Sequence, residues 1–257
     1  MDDILPLSHS ITTTRVLELL DGLDWPRARV ADVGAGNGYF SQALGEALRT
    51  RGLDAGEHIA ACDAVPAEFR YAPVRCAPIG AGGRLPFEDD AFDAVVSIEV
   101  IEHVENQFAF LRELARIAKP GGIVVVTTPN TLNANSRIRT LLQGFPLLFD
   151  PLPHTGADVR ELSGHIHPIS PYFLAIAALR AGLIEPSFHP DRTKLSGSIL
   201  TVLLAPALWL ARQAQRRRLR RKWPGVYEAN AALLASIGGW SMLTCRTSVV
   251  RAIKPGP

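Results

Sequence analysis

The chain has 257 residues, enough for one well-buried α/β domain with some length left for insertions. Hydrophobic residues make up 47% and aromatics only 7%, so the core is expected to be aliphatic; Cys62, Cys76 and Cys245 form neither a CxxC pair nor an even-numbered framework, which excludes a disulfide scaffold and a cysteine zinc site. Basic and acidic residues nearly balance at 27 to 25, but seven of the basic ones fall within 212–222 with no acid among them, which supports one local basic patch and no general nucleic-acid footprint.

The first residues, Met1-Asp2-Asp3-Ile4, lack the basic and long apolar regions of a signal peptide, and a cytoplasmic protein is expected. Strand-like and helix-like patterns then alternate from residue 29 to about 190, which argues for a parallel sheet covered by helices. An apolar strand over 29–33 ends in a Gly-rich turn and is followed by a helix over 38–49, with Phe40, Ala43, Leu44, Ala47 and Leu48 on one face. A second strand is expected over 58–62, ending at Asp63, a weak third over 71–77 and a fourth over 91–98 (AFDAVVSI). The amphipathic helix at 108–119 stops at Pro120-Gly121-Gly122, and IVVVTT at 123–128 reads as a fifth strand buried on both faces.

Beyond Pro129 the rhythm breaks. Residues 130–170, rich in Asn, Pro and His, are expected to form a substrate-side lid. A helix over 171–181 and a sixth strand over 183–189 complete a core spanning 28–190. An apolar-basic insertion occupies 195–240, with a helix at about 226–237, and a last strand falls at 243–253. The whole of 1–257 reads as a single domain.

The strongest local signal is Ala31-Asp32-Val33-Gly34-Ala35-Gly36-Asn37-Gly38-Tyr39-Phe40, with glycines at 34, 36 and 38 between a strand and a helix. Such glycines let the backbone turn sharply and let a ligand lie against the main chain. A dinucleotide-type GxGxxG would need glycine where Tyr39 stands, which counts against a dehydrogenase. Asp63 ends the second strand, where a carboxylate can accept hydrogen bonds from both ribose hydroxyls. Leu85-Pro86-Phe87 and Phe92-Asp93 precede the fourth strand, and LARIAKPGG at 114–122 leads into the fifth.

In order and spacing these motifs resemble the class I S-adenosylmethionine-dependent methyltransferases, over roughly residues 28–190. The resemblance implies a Rossmann-like, doubly wound, seven-stranded α/β sheet. It implies that Asp32, Gly34 and Gly36 hold the methionine part of S-adenosylmethionine and Asp63 its ribose, with Asn37, Gly38, Leu85 and Glu99 completing the cofactor-binding set. The family's acidic residue ahead of the Leu-Pro-Phe triplet is missing here; that segment reads Ile79-Gly80-Ala81-Gly82-Gly83-Arg84.

After the fourth strand comes Glu99-Val100-Ile101-Glu102-His103-Val104. In a helical turn, positions i, i+3 and i+4 share a face, so Glu99, Glu102 and His103 are expected to converge. The segment resembles quinone-biosynthesis O-methyltransferases and small-RNA 2′-O-methyltransferases, in which glutamates and histidines hold a divalent cation; His165 matches their further histidine, and Thr128-Pro129-Asn130 also fits. The resemblance implies a Glu99, Glu102, His103 and His165 site for Mg²⁺ or Mn²⁺. Metal-free catalysis by His103, aided by Glu102, and a structural role at a helix start remain open beside it. His154, His167 and His189 read as solvated loop histidines.

The run ILTVLLAPALWLA at 199–211 is broken by Pro206, falls short of the ~20 residues a spanning helix needs, and abuts the basic cluster, with Trp209 and Trp223 as flanking aromatics. Residues 199–222 read as a helix lying on an anionic membrane face, as core, or as a dimer interface. The expected activity is methyl transfer to oxygen of a hydroxylated small molecule or a lipid- or glycan-linked acceptor. RNA 2′-O-methylation and a cofactor-binding, membrane-bound partner subunit without turnover are the alternatives.

Overall fold

The computed structural model describes residues 4–6, 9–152, 164–193 and 195–256. Seven strands form one sheet: β1 (Val30–Val33), β2 (Ile59–Asp63), β3 (Cys76–Pro78), β4 (Phe92–Ile98), β5 (Ala118–Pro129), β6 (Ile184–Pro190) and β7 (Thr247–Ile253). Their order is β3-β2-β1-β4-β5-β7-β6; the first five are parallel, and β7 runs antiparallel to both β5 and β6.

Each central strand alternates its side chains between two cores, as a pleat of period two requires. Val95, Val124, Val126 and Val250 face one core, which α4 (Gln107–Ile117) and α6 (Pro171–Arg180) close with Leu111, Leu114 and Leu174. Ala94, Val96, Val125 and Val249 face the other, closed by α1 (Ser10–Leu20) and α2 (Tyr39–Arg49) through Val16, Leu20, Phe40, Leu44 and Leu48. A four-residue helix, α3 (Ala55–His58), leads into β2. The order reverses between β1 and β4, so the carboxyl ends of these two strands open a crevice of the kind where doubly wound sheets bind ligands.

Several segments differ from the sequence expectation. The third strand is only Cys76–Pro78: Pro73 has no N–H to donate, and Tyr71 is buried against Gly45 of α2, where an added Cβ would lie 2.1 Å from its hydroxyl. The expected lid holds its own helix, α5 (Ala134–Gln143), capped by the Asn133 side chain, which accepts from Ser136 N; residues 153–163 of that segment, His154 included, lie outside the described residues. The last strand begins at Thr247, later than expected, because Trp240–Thr244 forms a short helix, α9.

The insertion is a helical pair, α7 (Leu195–Lys222) and α8 (Pro224–Ser236). α7 runs unbroken through Pro206 for 28 residues, and Gly197–Lys222 is long and apolar enough, by length and composition alone, to cross a membrane. It packs chiefly against α5, α8 and α9.

Candidate active site

The crevice at the ends of β1, β2 and β4 is a cavity of about 670 Å³. Its floor is the turn from β1 to α2. Gly34, Gly36 and Gly38 have φ of 75°, 52° and 91°, the left-handed region that glycine tolerates. At Gly34 an added Cβ would stand 2.4 Å from Val100 Cγ2, so the loop after β4 approaches this backbone as closely as a missing side chain permits. Gly36 N donates to Asp63 Oδ2 and Val65 N to Asp63 Oδ1, both at 2.8 Å. Asp63 therefore braces the two loops, and each of its oxygens keeps a lone pair for a ligand. Asp32 is buried and accepts from Ser41 Oγ at 2.7 Å. Burial outweighs that hydrogen bond and pushes its carboxyl from 3.8 to about 7.

Asp32, Gly34, Gly36, Asn37, Asp63, Glu99, His103 and His165 all line the cavity. Two expected cofactor residues do not. Leu85 is 1% exposed in the core and fixed by its N–H donating to Glu113 Oε2, so it supports the wall from behind. Gly38 is the N-cap of α2 and serves the turn. Asn37 spends its side chain locally, donating to Leu5 O and accepting from Tyr39 N. Where the family's acidic residue is missing, Ile79 and Gly83 give an apolar lining, joined by Ala64, Val104 and Phe110. Phe110 carried no sequence signal, because its position on α4 reads as ordinary core. Among the described residues the lining holds Asp32, Asp63 and Glu99 but no lysine or arginine. That charge suits a cationic ligand and opposes a pyrophosphate.

The Glu-Glu-His segment folds differently from the expected helical turn. Glu99 takes φ 53° as it leaves β4, and only Ile101–His103 makes a 3-10 turn. Glu99 therefore swings toward β7, where its Oε1 accepts from Thr247 Oγ1 at 3.2 Å, and it leaves the expected four-residue cation set. The other three do converge: one ligand atom each from Glu102, His103 and His165 lie within 4.8 Å of one another. Glu102 is fully buried, neither oxygen has a hydrogen-bond partner, and burial pushes its carboxyl to about 8. The Thr128 hydroxyl lies beside it but completes no hydrogen bond, and its pull toward the ionised form is far weaker than the effect of burial.

Both imidazoles are oriented from behind. His103 Nδ1 donates to Gly164 O at 2.8 Å and His165 Nδ1 to Leu148 O at 2.7 Å, which leaves each Nε2 as the acceptor. The rings meet edge to face at 4.8 Å, and burial, together with the neighbouring His103, lowers the pKa of His165. His167 is exposed, as expected; His189 is part of β6 and half-buried beside Ser187 Oγ, so it is no loop histidine.

Sheet order, switch-point cavity and glycine turn define a nucleoside-binding α/β domain of the methyltransferase type. Residues 31–126 match the family model for the methyltransferase domain. A "Probable S-adenosylmethionine-dependent methyltransferase" of Mycolicibacterium smegmatis is 30% identical over 167 residues, 62% of this chain and 61% of that protein. The demethylmenaquinone methyltransferase of Mycobacterium tuberculosis is 34% identical over 155 residues, 57% and 66% of the two chains. The chain thus spans less than two thirds of these relatives' length. An S-adenosylmethionine-dependent methyltransferase structure from Thermotoga maritima shares the fold, with a TM-score of 0.56 at 16% identity over 94% of this chain and 87% of that one. Residues 31–126 belong to the methyltransferase-domain family, and the chain is similar in sequence and fold to the class I S-adenosylmethionine-dependent methyltransferases.

Proposed function

We propose that this protein transfers the methyl group of S-adenosylmethionine to an oxygen of a hydroxylated small molecule or lipid-linked acceptor, at a site holding a divalent cation. When bound, the cofactor supplies an electrophilic methyl group on a sulfonium, and the cation supplies positive charge beside a developing oxyanion. Gly34 and Gly36 let the main chain approach the cofactor, Asp63 offers its spare lone pairs to the ribose, and the acidic lining matches the cofactor's positive charges.

The observation that carries the oxygen reading is Glu102: a fully buried carboxyl with two unpartnered oxygens, beside the imidazoles of His103 and His165, one ring nitrogen of each lying within 4.8 Å of a carboxyl oxygen. An unpartnered buried carboxyl is costly, and a cation held by Glu102, His103 and His165 removes that cost. Two imidazoles and one carboxylate suit Mn²⁺ or another borderline ion better than Mg²⁺, which prefers oxygen ligands. The basic residues of α7 do not extend into the cavity, which disfavours an RNA acceptor.

The test uses radiolabelled S-adenosylmethionine with a panel of phenols and alcohols. Methyl ethers should form, formation should stop in EDTA and return with Mn²⁺, and Glu102→Ala should abolish the return while cofactor affinity holds. Methylation of ring carbon instead of the hydroxyl, or of amines added to the panel with no methyl ether formed, would overturn oxygen transfer. Full activity in EDTA would overturn the cation and leave His103 Nε2, on the cavity wall, as the proton acceptor.

A further inference from the structure

Helix α7 turns one face to the rest of the fold and an apolar face away from it. Its inner face is used: Thr201 is buried with Oγ1 donating to Leu243 O, Gly197 packs on the Thr244 backbone, and the Arg212 guanidinium donates to Gly238 O. Its outer face is Ile199, Val202, Leu203, Pro206, Trp209 and Leu210, spaced by three and four residues, so that all lie along one stripe. A soluble helix buries such a stripe; here every one of its large side chains is at least 56% exposed. The same helical register then continues as Arg217, Arg220 and Arg221, all exposed, and no acidic residue occurs between Asp191 and Glu228. Among the described residues none of these three arginines has a carboxylate partner.

We propose that this face of α7 docks the protein on an anionic lipid bilayer, the apolar stripe entering the headgroup–acyl boundary and the arginines meeting the lipid phosphates. The inference goes beyond the catalytic reading and stands without it. Charge complementarity selects the occupant: a long apolar row with cations at one end matches apolar chains beneath anionic headgroups. A second copy of this chain fits worse. Paired head to head, the two arginine clusters repel; paired head to tail, each cluster falls on the other's apolar stripe. Spanning fits worse too, because the helix would have to leave its contacts with α9 and Gly238. The stripe, from 199 to 210, is about 18 Å long, enough to lie on a surface. α5, which packs against α7, also exposes Leu141 and Leu142, and the loop that follows it supplies Leu148 O, which orients His165 at the cavity.

The experiment is flotation of the full chain with vesicles made of equal parts phosphatidylglycerol and phosphatidylcholine, or of phosphatidylcholine alone. The wild type should float with the first at least tenfold better, and the difference should shrink as salt rises from about 0.1 M to about 0.5 M, because screening shortens the reach of surface charge. Replacing Arg217, Arg220 and Arg221 by Gln should weaken partitioning on the order of a hundredfold. Trp209→Ser with Leu210→Ser should abolish it; circular dichroism melting, unchanged in both variants, shows that the fold survives. Absence of flotation by the folded wild type, or flotation indifferent to both variants, would overturn the proposal. So would a dimer in sedimentation equilibrium that Trp209→Ser with Leu210→Ser dissociates, without vesicle binding by the wild type.

Discussion

Gly34 and Asp32 show how single residues fix the site. Gly34 needs both a left-handed backbone and the absence of a Cβ, because Val100 stands 2.4 Å from where that atom would be. Gly34→Ala should destabilise the fold by about 1–3 kcal/mol and weaken S-adenosylhomocysteine binding at least tenfold. Val100→Ala in the same chain should restore part of both, as a denaturant and calorimetry double-mutant cycle would show. Asp32 gives a pH signature. Folded without cofactor it keeps its proton up to about pH 7, whereas unfolded it ionises near 3.8. The folded state binds the extra proton between those values, so stability from this group falls as pH rises through that window and levels off above 7. Asp32→Asn should flatten that slope in urea titrations at pH 5 and 8. A positively charged cofactor favours the ionised form, so wild-type affinity should rise from pH 6 to 8 and that of Asp32→Asn should not.

Elements were legible to the extent that one local pattern determined them. The β4 and β5 runs and the α2 and α4 faces carry long periodic signals, and their bounds fall within a few residues of expectation, apart from β5, whose ladder extends back to Ala118. The Glu99–His103 segment was misread because helical convergence assumes αR backbone at Glu99, and its positive φ, set where β4 meets the Thr127 hydrogen bonds, is a tertiary outcome. Helix α1 left no usable signal: its buried positions include Thr12 and Thr13, which read as polar surface. Helix α4 offers a clean test of element stability. Its N-cap Asn106 accepts from Ala109 N at 2.9 Å, so Asn106→Ala should cost about 1 kcal/mol in chemical denaturation and leave cofactor affinity unchanged.

Across the whole molecule the charge is segregated: the cavity wall is acidic, and the exposed end of α7 is basic. The alternation of strands and helices announced a doubly wound sheet, but the antiparallel β7 between β5 and β6 depends on long-range pairing that no local window contains. The same holds for the site. Gly34, Gly36 and Asp63 could be named from motif order, whereas the inward turn of His165 rests on the Leu148 carbonyl, 17 residues away along the chain. The proposed chemistry requires the cavity at the β1/β4 switch point to take a cationic nucleoside cofactor. Titration calorimetry of the wild type with S-adenosylmethionine, S-adenosylhomocysteine and NAD tests that most directly. One-to-one binding of the first two and no heat with NAD are expected; tight NAD binding, or no binding of either sulfur ligand, would contradict a cationic-cofactor site.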